Sequence, residues 1–374
     1  MIYLDSAATT FQKPPSVYRS VQWAMGHLGS PGRGGHPYAM RAAEAAFRCR
    51  ERAAELFHVP DPERVIFTFN ATHGLNIAIR SLVRRGSRVV ISGYEHNSVV
   101  RPLAAIGAEV RVAHSPLFDR DAAVRAFERL IDERTDAVVV NHVSNVFGFI
   151  LPVEEIADIC HEWRVPLILD ASQSAGVLPV DAQRLGAAFI AMPGHKGLYG
   201  PQGTGLLLAS GEAAPLLYGG SGSDSRSADM PAFLPDRLEA GTHNMPGIAG
   251  LAAGIAYVLQ TGTSAILRHE RTLIGRMADG LSGIPGVRVF RSKDMSLQAG
   301  VLSFEIDGLS AEEAGERLGE MGIAVRAGLH CAPLAHKTVG TLARGAVRAS
   351  VSAFNSQRDV SALVDAVKKL ANRR

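Results

Sequence analysis

Short apolar, β-branched runs alternate with helical patterns along much of the chain, and this alternation restricts the fold more than any other feature. Val65-Ile66-Phe67, Arg88-Val89-Val90-Ile91, Ala137-Val138-Val139-Val140 and Pro166-Leu167-Ile168-Leu169 read as buried strands, as do Ala188-Phe189-Ile190-Ala191 and Gly205-Leu206-Leu207-Leu208. Continuous apolar strands suit a sheet covered on both faces. Between them, Ala42 to Phe57 carries apolar residues near helical spacing. Strand-helix alternation of this kind predicts an α/β fold with a mostly parallel central sheet flanked by helices.

The 374 residues are enough for about two domains. The pattern divides into an N-terminal segment over 1–15, a large domain over 16–250 and a smaller C-terminal α+β domain over 251–374, with the N-terminal segment free to cross to either. One long helix is expected through Ala256 and Leu267. Gly219 to Ser227, rich in Gly and Ser, reads as a mobile loop. The last helix is expected to start near Ser356, with Asp359 as its capping-box acid and Val360, Leu363, Val364, Val367 and Leu370 as its apolar stripe.

Lys and Arg number 39 against 36 Asp and Glu, a formal net charge of +3, which gives no basic stripe for nucleic acid. The terminal cluster Lys368, Lys369, Arg373 and Arg374 suits a helix C-terminus. The three cysteines, Cys49, Cys160 and Cys331, form no Cys-x-x-Cys pair, so neither a zinc site nor a disulfide framework is expected. Met1 to Asp5 lacks the basic and apolar stretches of a signal peptide. No apolar run approaches the roughly 20 residues of a membrane span. A cytoplasmic location, with no nucleic-acid or membrane partner, is the expectation.

Several residues carry chemistry. Lys196, in Gly194-His195-Lys196-Gly197, follows an apolar strand and can point into a cleft at the sheet's C-terminal edge, where open α/β sheets bind ligands. Alone it fits a surface lysine in a glycine-rich turn equally well. Asp170 ends the strand Leu167-Ile168-Leu169 and can pair with a protonated pyridine nitrogen, although a strand-end Asp is often only a helix cap. Gln173, three residues on, can reach the same ring's phenolic oxygen. Asp170 and Lys196 together point to pyridoxal 5'-phosphate. Ala71 and Thr72 open a helix after Asn70, where free N–H groups suit a phosphate or simply a capped helix.

His96, after the strand Val89-Val90-Ile91, can stack on a flat ring and move protons, or serve a structural role. Ser144-Asn145 offers an amide to the same cleft or an ordinary turn before Gly148. In Arg326-Ala327-Gly328-Leu329-His330-Cys331-Ala332-Pro333, a cysteine beside His and Arg has the setting of a reactive thiolate, whereas Cys49 and Cys160 lie on helical patterns among apolar neighbours. Arg348 can clamp a carboxylate bidentately or stand on the surface.

Taken in order, these pieces resemble the class V aminotransferase family of pyridoxal-phosphate fold type I, and most nearly its cysteine desulfurase and selenocysteine lyase branch. The resemblance runs nearly end to end, from Tyr3-Leu4-Asp5-Ser6-Ala7-Ala8-Thr9-Thr10 through Glu95-His96, Asp170-Ala171-Ser172-Gln173, Gly194-His195-Lys196 and Glu239-Ala240-Gly241-Thr242 to His330-Cys331-Ala332 and Arg348-Ala349-Ser350. It implies that Lys196 holds the cofactor as a Schiff base and acts as the base at the substrate Cα. It implies that His96 stacks on the ring, that Asp170 and Gln173 meet its nitrogen and phenolic oxygen, and that Ala71, Thr72 and His195 hold the phosphate. Thr242 is implied at the phosphate of a partner subunit, hence a homodimer. Arg348 and Asn145 are implied at the substrate, with Arg326 and His330 beside them, and Cys331 as the thiol that takes the substrate sulfur as a persulfide for an acceptor protein.

Two departures stand out. Pro193 occupies a position where the family usually has Ser or Thr, and it offers neither a hydroxyl nor an N–H to a phosphate. Gly197 follows the lysine where many relatives go straight to Leu-Tyr. The same scaffold admits other reactions: selenocysteine, cystine or cysteine-sulfinate lyase, aminotransferase or epimerase chemistry, or a non-catalytic partner protein.

Overall fold

The computed structural model describes residues 1–31 and 34–372. A two-residue strand, β1 (Ile2–Tyr3), opens the chain, and helices Pro15–His27 and Pro37–Phe57 follow. The large sheet then forms from β2 (Val65–Thr68), β3 (Arg88–Ser92), β4 (Glu109–Ala113), β5 (Ala137–Asn141), β6 (Leu167–Asp170), β7 (Phe189–Pro193) and β8 (Gly205–Ala209). Its strand order is β2-β8-β7-β6-β5-β3-β4. Every pairing is parallel except those of β8, which runs antiparallel to both neighbours.

Alternate side chains of the central strands enter different cores. Val138, Val140, Leu167 and Leu169 pack on one face, while Ala137, Val139 and Ile168 pack on the other. Each buried Val, Leu or Ile among them contributes about 1.5–3 kcal/mol on leaving water. The middle of the sheet is therefore committed to packing, and polar residues collect at the strand ends.

Helix Met245–Thr261 ends at Gly262, whose φ of 82° breaks the pattern, and helix Thr263–Ser282 leaves at 82° to it. The single helix expected through Ala256 and Leu267 is therefore two. The residues on either side of Gly262 keep an apolar pattern that hides the break. Residue 250 lies inside the first of these helices, whose Leu251, Ala252 and Ile255 belong to the large domain's core. The second helix supplies Leu273, Ile274 and Met277 to the core of the small domain.

The small domain adds β9 (Val287–Phe290), β10 (Val301–Ile306), β11 (Ile323–Ala324), β12 (Arg326–Gly328) and β13 (Ala346–Ser350). A four-stranded antiparallel sheet has the order β12-β13-β10-β9. β1 pairs in parallel with β11, which ties the N-terminus to this domain. The closing helix Gln357–Ala371 has the expected capping box, with the Ser356 N–H donating to Asp359 Oδ2 at 2.8 Å. Val360, Leu363, Val367 and Leu370 are buried along it, and Val364 is half-buried. Lys368 and Lys369 occupy its last turn, while Arg373 and Arg374 lie outside the described residues. Gly219 to Ser227 forms bends and turns without regular structure. Among the described residues, no single helix is long and apolar enough to cross a membrane.

Candidate active site

The C-terminal ends of β3, β5, β6 and β7 converge on one cavity. Helix Ala71–Leu82 brings Ala71 and Thr72 to it, and the turns after the strands bring His96, Asn145, Asp170, Gln173, His195 and Lys196. Ligands in open α/β sheets bind at this edge. Eight of the thirteen residues singled out from the sequence thus share one space. Arg326, His330, Cys331 and Arg348 belong to the small domain and are not among its lining residues.

Lys196 is half-buried at the turn after β7. The turn is fixed by Gly194 N–H donating to the Thr204 carbonyl at 2.8 Å and Tyr199 N–H donating to the Lys196 carbonyl at 2.9 Å. Gly197 has a steric role here: a Cβ on it would meet the Ala175 carbonyl oxygen at 2.4 Å. Loss of water brings the Lys196 ammonium down to about 8, with Arg348 and Arg326 pushing the same way and Asp170 opposing them. A lysine so placed is a usable nucleophile and base near neutral pH.

Asp170 is buried where β6 runs beside β7 and β5, and its Oδ1 accepts from Ser172 N–H at 2.9 Å. Opposite it in the cavity, His96 caps helix Asn97–Ile106. His96 Nδ1 accepts from Ser98 N–H at 3.1 Å, which leaves any ring proton on Nε2. Burial lowers the His96 pKa, and the nearby Asp170 carboxylate only partly opposes that. Beneath His96, Glu95 is fully buried and pushed up to about 8 by loss of water. Its Oε1 accepts from Ser92 Oγ at 2.5 Å and from Asn141 N–H at 3.0 Å, locking the ends of β3 and β5 together.

The end of the cavity at the N-terminus of helix Ala71–Leu82 is built from several directions. The Asn70 side chain accepts from His73 N–H at 2.9 Å, which leaves the N–H groups of Ala71 and Thr72 at the open helix end. Thr72 Oγ1 lies 2.7 Å from Ser98 Oγ. His195 Nδ1 lies 3.0 Å from Thr9 Oγ1, and Lys13 Nζ donates to the His195 carbonyl at 3.0 Å. Burial first, then Lys196 and Lys13, takes the His195 pKa down to about 4. Pro193 also lines the cavity and offers no donor.

The N-terminal segment is a strap between the domains. Gln173 Nε2 donates to the Ala7 carbonyl at 2.9 Å, so one of its amide hydrogens is committed to the strap. Arg348 is buried and corrects the simplest expectation for it. Its Nη2 donates to Asp5 Oδ1 at 2.6 Å and its Nη1 to the Asn145 carbonyl at 2.9 Å. Its Nε alone is buried without a partner, as is Asn145 Oδ1.

Cys331 is exposed, and Cys49 and Cys160 are buried, with both thiols pushed up to about 12 by burial. The Cys331 carbonyl accepts from Asn97 N–H at 2.8 Å, and the His330 carbonyl accepts from Asn145 Nδ2 at 2.8 Å. The cysteine loop is therefore fastened to the His96 helix and to the cavity wall. Thr242 is exposed and lies outside its own chain's cavity, beside Glu239. Glu239 is held by a bidentate pair with Arg50 at 2.8 and 2.7 Å.

Sequence reading missed Asp5, Lys13, Arg50 and Ser98, all of which act through neighbours. Asp5 stands inside a quoted motif and Ser98 two residues after another, but neither motif assigns them a role. The residues present fit pyridoxal 5'-phosphate: an amine of lowered pKa, a buried carboxylate opposite a neutral imidazole, and helix N–H groups with a threonine at the far end. Among the buried atoms without a partner are Asn145 Oδ1 and Arg348 Nε, which leaves an acceptor and a donor for a bound polar group.

Comparison with known proteins agrees. A probable cysteine desulfurase of Methanothermobacter thermautotrophicus is 33% identical over 389 residues, covering 99% of this chain and 94% of that protein. A probable cysteine desulfurase of Mycolicibacterium paratuberculosis is 32% identical over 387 residues, and there 99% of this chain spans 55% of the longer protein. The apo structure of cysteine desulfurase from Thermococcus onnurineus superimposes with a TM-score of 0.90 at 30% identity, covering 99% of this chain and 94% of that one. The sequence model of class-V aminotransferases matches residues 2–363, and the chain belongs to that family.

Proposed function

We propose that the chain is a pyridoxal-phosphate-dependent cysteine desulfurase that converts L-cysteine to L-alanine and keeps the sulfur as a persulfide on Cys331. The observation that carries this reading is the convergence of Lys196, Asp170, His96 and the open helix end on one cavity, with the exposed Cys331 loop fastened to the same wall.

Lys196 would hold the cofactor, Asp170 would pair with the ring nitrogen, and Ala71, Thr72 and His195 would hold the phosphate. Bound there, pyridoxal 5'-phosphate supplies an electron sink for the pair released at the substrate Cα. The neutral Lys196 amine takes and returns the Cα proton. His96, neutral at Nδ1, can present an Nε2 proton to the cavity. Arg348 Nε, buried and unpaired, would donate to a substrate carboxylate, with Asn145 beside it. The reaction balances as L-cysteine and the Cys331 thiol giving L-alanine and the Cys331 persulfide.

An acceptor protein would collect the sulfur, since Cys331 is exposed. A homodimer, with Thr242 reaching the phosphate in the partner subunit, is supported by the position of Thr242 outside its own cavity. A cytoplasmic location is supported by a function that needs a reduced thiol.

The test is an absorbance spectrum of the purified protein before and after L-cysteine under reducing conditions, with alanine and sulfide assayed together. A cofactor band that responds to cysteine, with equal alanine and sulfide, is expected. Lys196→Ala should be colourless and inactive, and Cys331→Ala should keep its colour and lose desulfuration. A band indifferent to cysteine but responsive to selenocysteine or another amino acid would overturn the substrate. Sulfur release at the wild-type rate by Cys331→Ala would overturn the nucleophile.

A further inference from the structure

Two buried histidines that the reaction does not use stand behind the cysteine loop. His330 directly precedes Cys331, and His336 lies on helix Pro333–Val339 with no exposed surface. Their ring planes are within 12° of each other and their centroids are 5.6 Å apart, while His330 Nδ1 and His336 Nε2 are 3.4 Å apart. The rings therefore meet edge to edge through these nitrogens. His336 Nδ1 is 2.8 Å from the hydroxyl of the buried Thr341, and His330 Nε2 is 3.2 Å from the Arg326 carbonyl.

The chemistry of the ends fixes every proton between them. A carbonyl oxygen only accepts, so His330 Nε2 carries a hydrogen. A neutral imidazole carries one hydrogen, so His330 Nδ1 is bare and accepts from His336 Nε2–H. His336 Nδ1 is then bare and accepts from the Thr341 hydroxyl. Burial above all keeps both rings neutral, at about 3 for His330, where Arg348 adds to it, and about 4 for His336. The chain of donors thus runs in one direction and ends at the main chain of β12.

This chain holds a backbone that resists its own conformation. His330 and Cys331 have φ of 52° and 55°, so two consecutive residues with side chains occupy the left-handed region. Such strain persists only where the surroundings over-determine it. Four ties are present: the Asn145 amide on the His330 carbonyl, the Asn97 N–H on the Cys331 carbonyl, the Ala332 N–H on the Leu329 carbonyl at 2.9 Å across the turn, and the histidine chain on the His330 ring. The first two come from the cavity walls. The other two come from within the small domain, and of these only the histidine chain holds a side chain.

We infer that His336 and Thr341 are positioning residues for Cys331, fixing the orientation of the His330 ring so that the strained cysteine loop is pre-set for sulfur transfer. The inference rests on the desulfurase reading for its kinetic consequence, but not for the proton order itself. Placement errors of about 1 Å at a reacting atom can cost about a hundredfold in rate.

The test compares His336→Ala, Thr341→Val and His336→Gln with wild type in the cofactor-loaded protein. A glutamine can donate to His330 Nδ1 and accept from Thr341, so it should restore what alanine loses. Expected for His336→Ala and Thr341→Val is a fall of about ten- to a hundredfold in the rate of Cys331 persulfide formation, with KM for L-cysteine and the cofactor spectrum unchanged. His336→Gln should recover most of the rate. Wild-type persulfide formation in a folded, cofactor-loaded His336→Ala protein would overturn the inference, as would equal losses in alanine and glutamine variants. Imidazole nitrogen NMR separates this result from the desulfurase reading: His330 should be protonated at Nε2 in wild type and in His336→Ala alike, because the Arg326 carbonyl holds that proton, while the bare Nδ1 signal should shift in His336→Ala as it loses its donor, whether or not cysteine proves to be the substrate. A wild-type His330 protonated at Nδ1 would also overturn the inference.

Discussion

Arg348 donates to Asp5 across 343 positions of sequence, at 2.6 Å and with the guanidinium almost wholly buried. The pair joins β13 to the N-terminal strap and takes up one end of the Arg348 guanidinium. Removing one partner of a buried pair leaves an uncompensated charge, which costs about 3–5 kcal/mol. Asp5→Ala should therefore shift the urea unfolding midpoint well below that of wild type and weaken amino-acid binding, read as a raised KM. A wild-type midpoint would mean that water replaces Asp5 without cost.

Cofactor loading should follow the ionisation of Lys196. Its amine is lowered from the usual 10.5 to about 8, chiefly by loss of water. The rate at which cofactor-free protein takes up pyridoxal 5'-phosphate should rise with pH around a midpoint near 8. The sign for stability follows. The folded lysine gives up its proton before the unfolded one does, so the unfolded chain binds more protons between about 8 and 10.5, and this group's contribution to stability rises across that window. A loading midpoint near 10.5 would place the amine in open water.

With the phosphate held as proposed, Pro193 would give it no donor. It closes β7 opposite Gly205 and lines the cavity. A hydrogen bond to a charged group is worth about 1.5–3 kcal/mol. Pro193→Ser should accordingly tighten cofactor binding by about tenfold or more, measured by titration of the cofactor-free protein. Unchanged affinity would show that other donors already satisfy the phosphate.

Sequence alone was enough to locate the strand ends, because apolar runs mark where a buried strand stops and a polar turn begins. Asp170 sits one residue beyond such a run, and Lys196 and His96 each sit five residues beyond theirs, in the turn that follows. Pairings that depend on distant side chains left no local mark: nothing near Asp5 announces Arg348, and nothing near Glu239 announces Arg50. The break at Gly262 was hidden for a related reason. Apolar spacing continues on both sides of it, and only the backbone angle reveals the turn. Gln173 shows the remaining gap, since its motif gave its place in the cavity but not its bond to Ala7.

Gly197 should be intolerant of any side chain. Its neighbour Gly176 has φ of 84°, and a Cβ there would meet the Gly197 carbonyl oxygen at 2.2 Å, so the two backbones are packed against each other directly. A Cβ on Gly197 would in turn meet the Ala175 carbonyl at 2.4 Å, and neither backbone can yield without moving the adjoining Lys196. Gly197→Ala should keep the far-ultraviolet circular dichroism of wild type while losing cofactor on dialysis. The local clash displaces the lysine turn, whereas the sheet core that determines the fold lies behind it. Retention of the cofactor at wild-type affinity would mean that the turn relaxes without carrying Lys196 with it.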